Sequence, residues 1–196
     1  MTAALAVLCG YLLGSLPFGY WLVRAFRGED IRTRGSGNVG ATNVFRVYGR
    51  RLGVAVALLD VGKGFAAALL GLWAGGALIG VLAGAAAMVG HARPVFLRFR
   101  KGGKMVATAG GAAFALAPLA ALSCVAVWLV VFVLTRYASV ASIATALALP
   151  LFAWLYGAHW PALVFTIAGA GAIVLLHRHN IRRLVAGTEH RFELGR

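Results

Sequence analysis

Acidic residues are scarce in this chain. Five aspartates and glutamates stand against 19 lysines and arginines in 196 residues, a formal net charge of +14. So few carboxylates leave no Asp-rich motif to hold magnesium for transfer of a nucleotide-linked headgroup, no paired carboxylates and no Ser-His-Asp order. Cysteine is nearly absent too: Cys9 and Cys124 both lie within apolar runs, which excludes a disulfide framework or a cysteine metal site. Charged residues make up 12% of the chain, where soluble domains carry roughly 25%. A soluble protein with buried helices would need a charged outer surface, whereas these charges sit in a few clusters.

What is abundant is apolar. The chain is 61% hydrophobic with a mean hydropathy of +0.86 and 26 glycines, a composition suited to close helix packing in lipid. The cations gather at the ends of apolar runs, as the positive-inside rule describes. That distribution, with its value for attracting anionic headgroups and substrates, argues against nucleic acid as the partner of this positive charge. The first apolar stretch has no basic segment before it and runs unbroken to Val23, so it reads as a retained span and not a cleaved signal peptide.

An all-α, polytopic integral membrane protein is expected, one membrane-embedded domain over residues 1–196. Residues 2–23 are long enough to cross roughly 30 Å of hydrocarbon, with Gly14-Ser15-Leu16-Pro17-Phe18-Gly19 as an interruption that frees backbone carbonyls. That interruption serves packing or touches substrate. Further spans are predicted at 52–74, 77–92, 105–117, 119–135, 139–156 and 162–176, with breaks at Gly75-Gly76, Ala117-Pro118 and Gly157–Pro161. The total is seven, N-terminus outside and C-terminus in the cytoplasm, and it places every lysine and arginine, Arg196 included, at or near the inner side. The fourth span is short for a full crossing. Asp60 and Lys63, three apart in the second span, share a helix face where pairing would lower the cost of burial; the pair is structural or touches the polar site.

Three polar clusters on the inner side are candidates for chemistry. The first, residues 33–49, reads as a phosphate-binding loop: Gly35, Gly37 and Gly40 let backbone N–H groups turn toward an anion. Ser36, Asn38, Thr42 and Asn43 add neutral hydrogen bonds, and Arg34 and Arg46 add charge. Gly35–Gly40 spells GxGxxG, but Glu29-Asp30-Ile31-Arg32 before it is no strand of a dinucleotide fold. Ala41-Thr42 stands where a Walker loop needs Lys-Ser/Thr. The second cluster, Lys101-Gly102-Gly103-Lys104, is predicted to open the fourth helix, whose N-terminus favours an anion. In the third, His177 and Asn180 share a face with Arg183 or Leu184 if the last helix continues, while Arg178, Arg182 and Arg183 also serve as topology anchors. Ser142, at the inner end of the sixth span, is a packing serine or a site contact. No His-x-x-x-x-Asp exists, so the acyl-CoA-dependent glycerolipid acyltransferase motif is missing.

Together these segments resemble the bacterial acyl-phosphate:glycerol-3-phosphate acyltransferases, the PlsY family. The matching runs are Gly35–Asn43, then Gly102-Gly103-Lys104 with Val106-Ala107-Thr108, then His177 with Asn180-Ile181 and Arg183-Leu184. Lesser matches are Gly14–Gly19, Leu59-Asp60 with Lys63-Gly64, and Gly90-His91 with Pro94. The resemblance implies a seven-helix enzyme of the bacterial inner membrane, with its active site on the cytoplasmic side. It would move a fatty acyl chain from acyl phosphate to the 1-hydroxyl of glycerol 3-phosphate, giving lysophosphatidic acid and phosphate, the first step of phospholipid synthesis. Ser36, Lys104, His177 and Asn180 would be catalytic. Gly35, Gly37, Asn38, Gly40, Thr42, Asn43, Arg46, Gly102, Gly103 and Ser142 would bind substrate. By the same resemblance Arg46, Lys104, Ser36, Asn180 and His177 hold glycerol phosphate, while Asn38, Thr42, Asn43 and the glycine backbone grip acyl phosphate. The hydroxyl proton goes to His177 or to a substrate phosphate oxygen. No cofactor or metal is implied; a monomer with membrane lipid as its third partner is expected. The chain departs from the family pattern at Met105, where a glycine usually follows the lysine, and in one extra residue around Arg100-Lys101. The rival function is a small phosphate or organophosphate transporter, which would want polar sites on both faces.

Overall fold

The computed structural model describes residues 2–192; Arg196, expected among the inner-side cations, lies outside them. The described residues contain helices and turns but no strand. They divide into two compact units, residues 1–116 and 117–196.

In the first unit, α1 (Ala3–Gly14) and α2 (Phe18–Arg27) are separate helices, parted at Ser15–Pro17. Proline at position 17 cannot donate to the helical ladder, and the helix breaks there. The Leu16 carbonyl, which accepts the Phe18 N–H at 3.1 Å, also accepts from Lys63 Nζ at 2.9 Å. A single turn at Ile31–Thr33 leads to α3 (Ala41–Tyr48). The polar segment predicted as loop is therefore half helix. It then feeds α4 (Arg50–Ala92), which is interrupted at the expected place: Gly75 and Gly76 leave helical geometry, with φ/ψ of −177°/28° and 75°/−162°. A second short turn, Val95–Leu97, an irregular segment over 98–105 and α5 (Val106–Leu116) complete the unit.

Small residues let these helices approach. A methyl group added to Gly10 or Gly14 of α1 would run into the backbone of Ala83 or Ala87 in α4. One added to Gly64 or Gly111 would do the same between α4 and α5. Such close contact is how helices associate where lipid removes the hydrophobic drive between them. At the polar end a small core gathers Val23, Ile31, Val39, Val44, Val56 and Leu97. Because Ile31, Val39 and Val44 lie before, within and after the glycine segment, their burial pins it at three points.

The second unit holds α6 (Pro118–Thr135), α7 (Ala138–Leu155), α8 (Trp160–Leu176) and α9 (Arg178–Val185). The Pro118 start and the 157–161 turn match the predicted breaks. The last helix does not continue straight: α8 and α9 meet at His177 with a bend of 55°. Among the described residues four helical stretches are long and apolar enough to cross a bilayer, and the bent pair, taken as one span, makes a fifth. This is a multi-pass membrane protein.

Candidate active site

The glycine segment is shaped by its own amides. Gly35 and Gly37 adopt φ of 56° and 68°, left-handed geometry that side chains disfavour. Inside the resulting turn, Asn43 Oδ1 accepts the Ser36 N–H at 2.9 Å, and Asn43 Nδ2 donates to the Arg34 and Asn38 carbonyls at 3.1 and 2.8 Å. Asn38 Oδ1 accepts the Gly40 N–H at 2.8 Å, and its Nδ2 donates to the Gly102 carbonyl at 3.2 Å. Both buried amides are therefore committed to the protein. They build the cradle, where the sequence suggested that they would grip a ligand. The groups left outward are the hydroxyls of Ser36 and Thr42, both exposed, and the N–H groups of Ala41 and Thr42 in the first turn of α3, whose cap is Gly40. A helix start of this kind offers donors and partial positive charge. Arg46, on the same helix, is half-buried.

Ahead of this segment Asp30 caps the turn at Ile31 and holds Arg32 through both carboxylate oxygens, Oδ1 to Nε at 2.9 Å and Oδ2 to Nη2 at 2.6 Å. The guanidinium beside it keeps the Asp30 carboxyl below the usual carboxylate range.

The second glycine segment does not open a helix. Gly102 donates its N–H to the Ala92 carbonyl and Gly103 to the His91 carbonyl, each at 3.0 Å, while α5 begins at Val106. Neither glycine N–H is available to an anion, so these glycines serve close approach instead. A Cβ on Gly103 would strike the His91 imidazole, and one on Gly102 the His91 carbonyl and the Pro94 ring. Lys104 follows, half-buried, and Met105 takes φ of 70°, the geometry that makes glycine the natural occupant.

Beneath this segment lies a network that the sequence only half disclosed. Asp60 Oδ1 sits 2.8 Å from Lys63 Nζ and 3.6 Å from His91 Nδ1, all three side chains nearly inaccessible. Lys63 continues to the Leu16 carbonyl. The pair therefore ties the α1–α2 break to the end of α4, and His91 carries that tie to Gly103. The Asp60–Lys63 spacing was legible; the arrival of His91, 31 positions after Asp60, was not.

In the second unit His177 is buried at the α8–α9 bend, its Nδ1 2.8 Å from the Ile173 carbonyl. A carbonyl can only accept, so Nδ1 carries the proton and Nε2 is the basic nitrogen. Asn180 and Arg183 share a face of α9, and what they meet is Glu189. Asn180 Nδ2 lies 2.6 Å from Oε1, Ser139 Oγ 2.9 Å from the same oxygen, and Arg183 Nε 2.7 Å from Oε2. Burial raises the Glu189 pKa, but these donors outweigh it and hold the carboxyl below its ordinary range. Sequence reasoning gave Glu189 no role, although an acid in a tail this basic, where only Glu193 accompanies it, is a signal of pairing. Ser142 is buried and accepts from Trp128 Nε1 of the neighbouring helix at 3.4 Å.

A many-helix membrane protein with two conjoined glycine-rich polar segments defines the class; comparison with known proteins narrows it. The chain belongs to the glycerol-3-phosphate acyltransferase family, whose sequence model matches residues 4–187. It is 47% identical to the glycerol-3-phosphate acyltransferase of Synechococcus sp. (strain JA-2-3B'a(2-13)), with 97% of this chain and 95% of the relative covered. Identity to the enzyme of Aquifex aeolicus (strain VF5) is 45%, covering 98% of this chain and all of that one, 100%. Among solved structures, the glycerol 3-phosphate form of PlsY, an integral membrane glycerol 3-phosphate acyltransferase, superposes with a TM-score of 0.93 at 44% identity over 97% of this chain and 96% of that one. Its lysophosphatidic acid form gives 0.90 at 42% identity, over 97% and 95% of the two chains.

Proposed function

We propose that this chain transfers a fatty acyl group from acyl phosphate to the 1-hydroxyl of glycerol 3-phosphate, releasing lysophosphatidic acid and inorganic phosphate. The observation that carries this reading is the junction of the two glycine-rich segments through Asn38 and Gly102, which sets Ser36, Thr42 and the start of α3 beside the irregular segment that leads to Lys104. Membership of the acyltransferase family, and a near neighbour in a lysophosphatidic acid form, favour transfer over a phosphate transporter.

In the reaction the glycerol hydroxyl oxygen bonds to the acyl carbonyl carbon, the carbon–oxygen bond to phosphate breaks, and phosphate departs with the electron pair. Phosphate leaves readily, so no covalent acyl-enzyme is required. Ser36, Arg46, Lys104 and Asn180 hold glycerol phosphate. The Thr42 hydroxyl and the N–H groups of Ala41 and Thr42 at the start of α3 face acyl phosphate, with Gly35, Gly37, Gly40, Asn38, Asn43, Gly102 and Gly103 holding the cradle in shape. Catalysis then rests on positioning and electrostatic stabilisation. His177 receives the hydroxyl proton through Nε2, in keeping with its Nδ1 contact to Ile173; a substrate phosphate oxygen is the competing acceptor. The whole chain acts as one domain of seven spans in the bacterial inner membrane, N-terminus outside, with the site on the cytoplasmic face, as a monomer.

A radiolabelled assay in detergent with acyl phosphate and glycerol 3-phosphate tests the reaction. Product from acyl-CoA but not from acyl phosphate would overturn the donor. Labelling that put Ser36 and Lys104 on opposite faces of the bilayer would end the proposal altogether.

A further inference from the structure

The turn after α4 carries backbone strain unlike that of any other neighbouring pair among the described residues. Arg98 and Phe99 are consecutive non-glycine residues with φ of 54° and 57°, left-handed geometry that a side chain disfavours. Backbone bonds enforce it: Phe99 N–H donates to the Pro94 carbonyl at 3.0 Å and Arg100 N–H to the Leu97 carbonyl at 3.1 Å. The turn presents Phe96 and Phe99, 50% and 61% exposed, alongside the exposed cations Arg98, Arg100 and Lys101. Trp21 leans on Phe96 with ring centroids 5.8 Å apart. Aromatic rings beside cations are the furnishing of a membrane–water boundary.

Arg100 and Lys101 also line an open cavity of about 350 Å³ with Asp30, Arg32, Thr33 and Gly37, within the roughly 300–1,000 Å³ of small-molecule sites. Its single carboxylate is spent on Arg32, whose guanidinium is further fixed over the Tyr20 ring, 4.7 Å from the centroid. Glu29, Asp60 and Glu189 are paired with Arg34, Lys63 and Arg183. Arg100 and Lys101 thus have no carboxylate partner among the described residues, and the cavity keeps a surplus of positive charge. Neither Arg46 nor Lys104 lines it.

We propose that this cavity binds the phosphate headgroup of an anionic bilayer phospholipid, whose acyl chains lie along Phe96 and Phe99. Soluble phosphates share the headgroup chemistry but make no use of an aromatic flank, and that flank decides for lipid. The strain in the 98–99 turn keeps rings and cations on one edge before the lipid arrives.

The test is native mass spectrometry of the intact protein in detergent, titrated with phosphatidylglycerol or phosphatidylcholine. Wild type retains one phosphatidylglycerol tightly. Arg100→Gln with Lys101→Gln weakens that retention on the order of tenfold or more and leaves phosphatidylcholine unchanged. The control pair Arg50→Gln with Arg51→Gln, exposed arginines outside the cavity, changes it little. Phe99→Ser also weakens it. Equal retention in the Arg100/Lys101 variant, or an equal loss in the control pair, overturns the site in favour of general surface charge. Displacement by millimolar inorganic phosphate together with indifference to Phe99→Ser overturns the lipid in favour of a soluble phosphate.

Discussion

Gly103→Ala isolates the contact between the second glycine segment and the buried network below it. The new methyl would lie 2.5 Å from His91 Cε1 and 2.7 Å from Cδ2, closer still to Nε2, where carbon contacts settle near 3.5–4.0 Å. About 1 Å must be found somewhere. The imidazole is poor at yielding, because it is only 6% exposed and faces Asp60, itself held by Lys63. The segment carrying Lys104 yields instead. Overpacking of this kind costs about 1–3 kcal/mol of stability, and a shift of about 1 Å in a positioning cation costs about 100-fold in rate. Phosphate release from acyl phosphate, measured against glycerol 3-phosphate concentration, should therefore fall about 100-fold in Gly103→Ala while the protein still purifies as a folded species. Trimming the imidazole in Gly103→Ala/His91→Ala should restore part of the loss. A single variant with wild-type turnover would show that His91 does not brace this segment, and the reasoning from the network would fail.

Lys104→Ala and Arg46→Ala should each lose at least about 100-fold in kcat/KM, on the order of 3 kcal/mol of transition-state binding; near-normal turnover in either removes that residue from the site. Met105→Gly should raise the melting temperature in detergent, because relief of a left-handed side-chain conformation, roughly 1–2 kcal/mol, exceeds the added unfolded-state entropy of about 0.4–1 kcal/mol; an unchanged or lower value contradicts the strain at φ 70°. Glu189 has a depressed folded pKa, so its stabilising contribution is complete above its unfolded value and is lost as pH falls through the folded one. Hydrogen exchange at residues 186–192 should accelerate below the ordinary glutamate range in wild type. Glu189→Gln should exchange fast already at neutral pH, and identical profiles would show that the carboxylate does not hold the tail.

Much of the helical layout was legible because its causes are local. Gly75-Gly76 and Ala117-Pro118 break helices through backbone preferences that need no partner, and both breaks appear at those residues. The cationic glycine segments announced themselves by composition. What composition could not carry was the choice of partners. Asn38, Asn43 and Asn180 are competent ligand donors in sequence, yet a buried amide must satisfy its hydrogen bonds with whatever the fold brings near. The fold brings loop carbonyls to the first two and Glu189 to the third. Likewise Gly102 and Gly103 resemble phosphate donors until the end of α4 takes both N–H groups. Chain chemistry alone determined a membrane-embedded helical protein with cations gathered at the ends of its apolar runs and two cationic glycine-rich segments. Tertiary contact alone decided which polar groups are scaffold and which face outward, because that depends on distances between residues far apart in the chain.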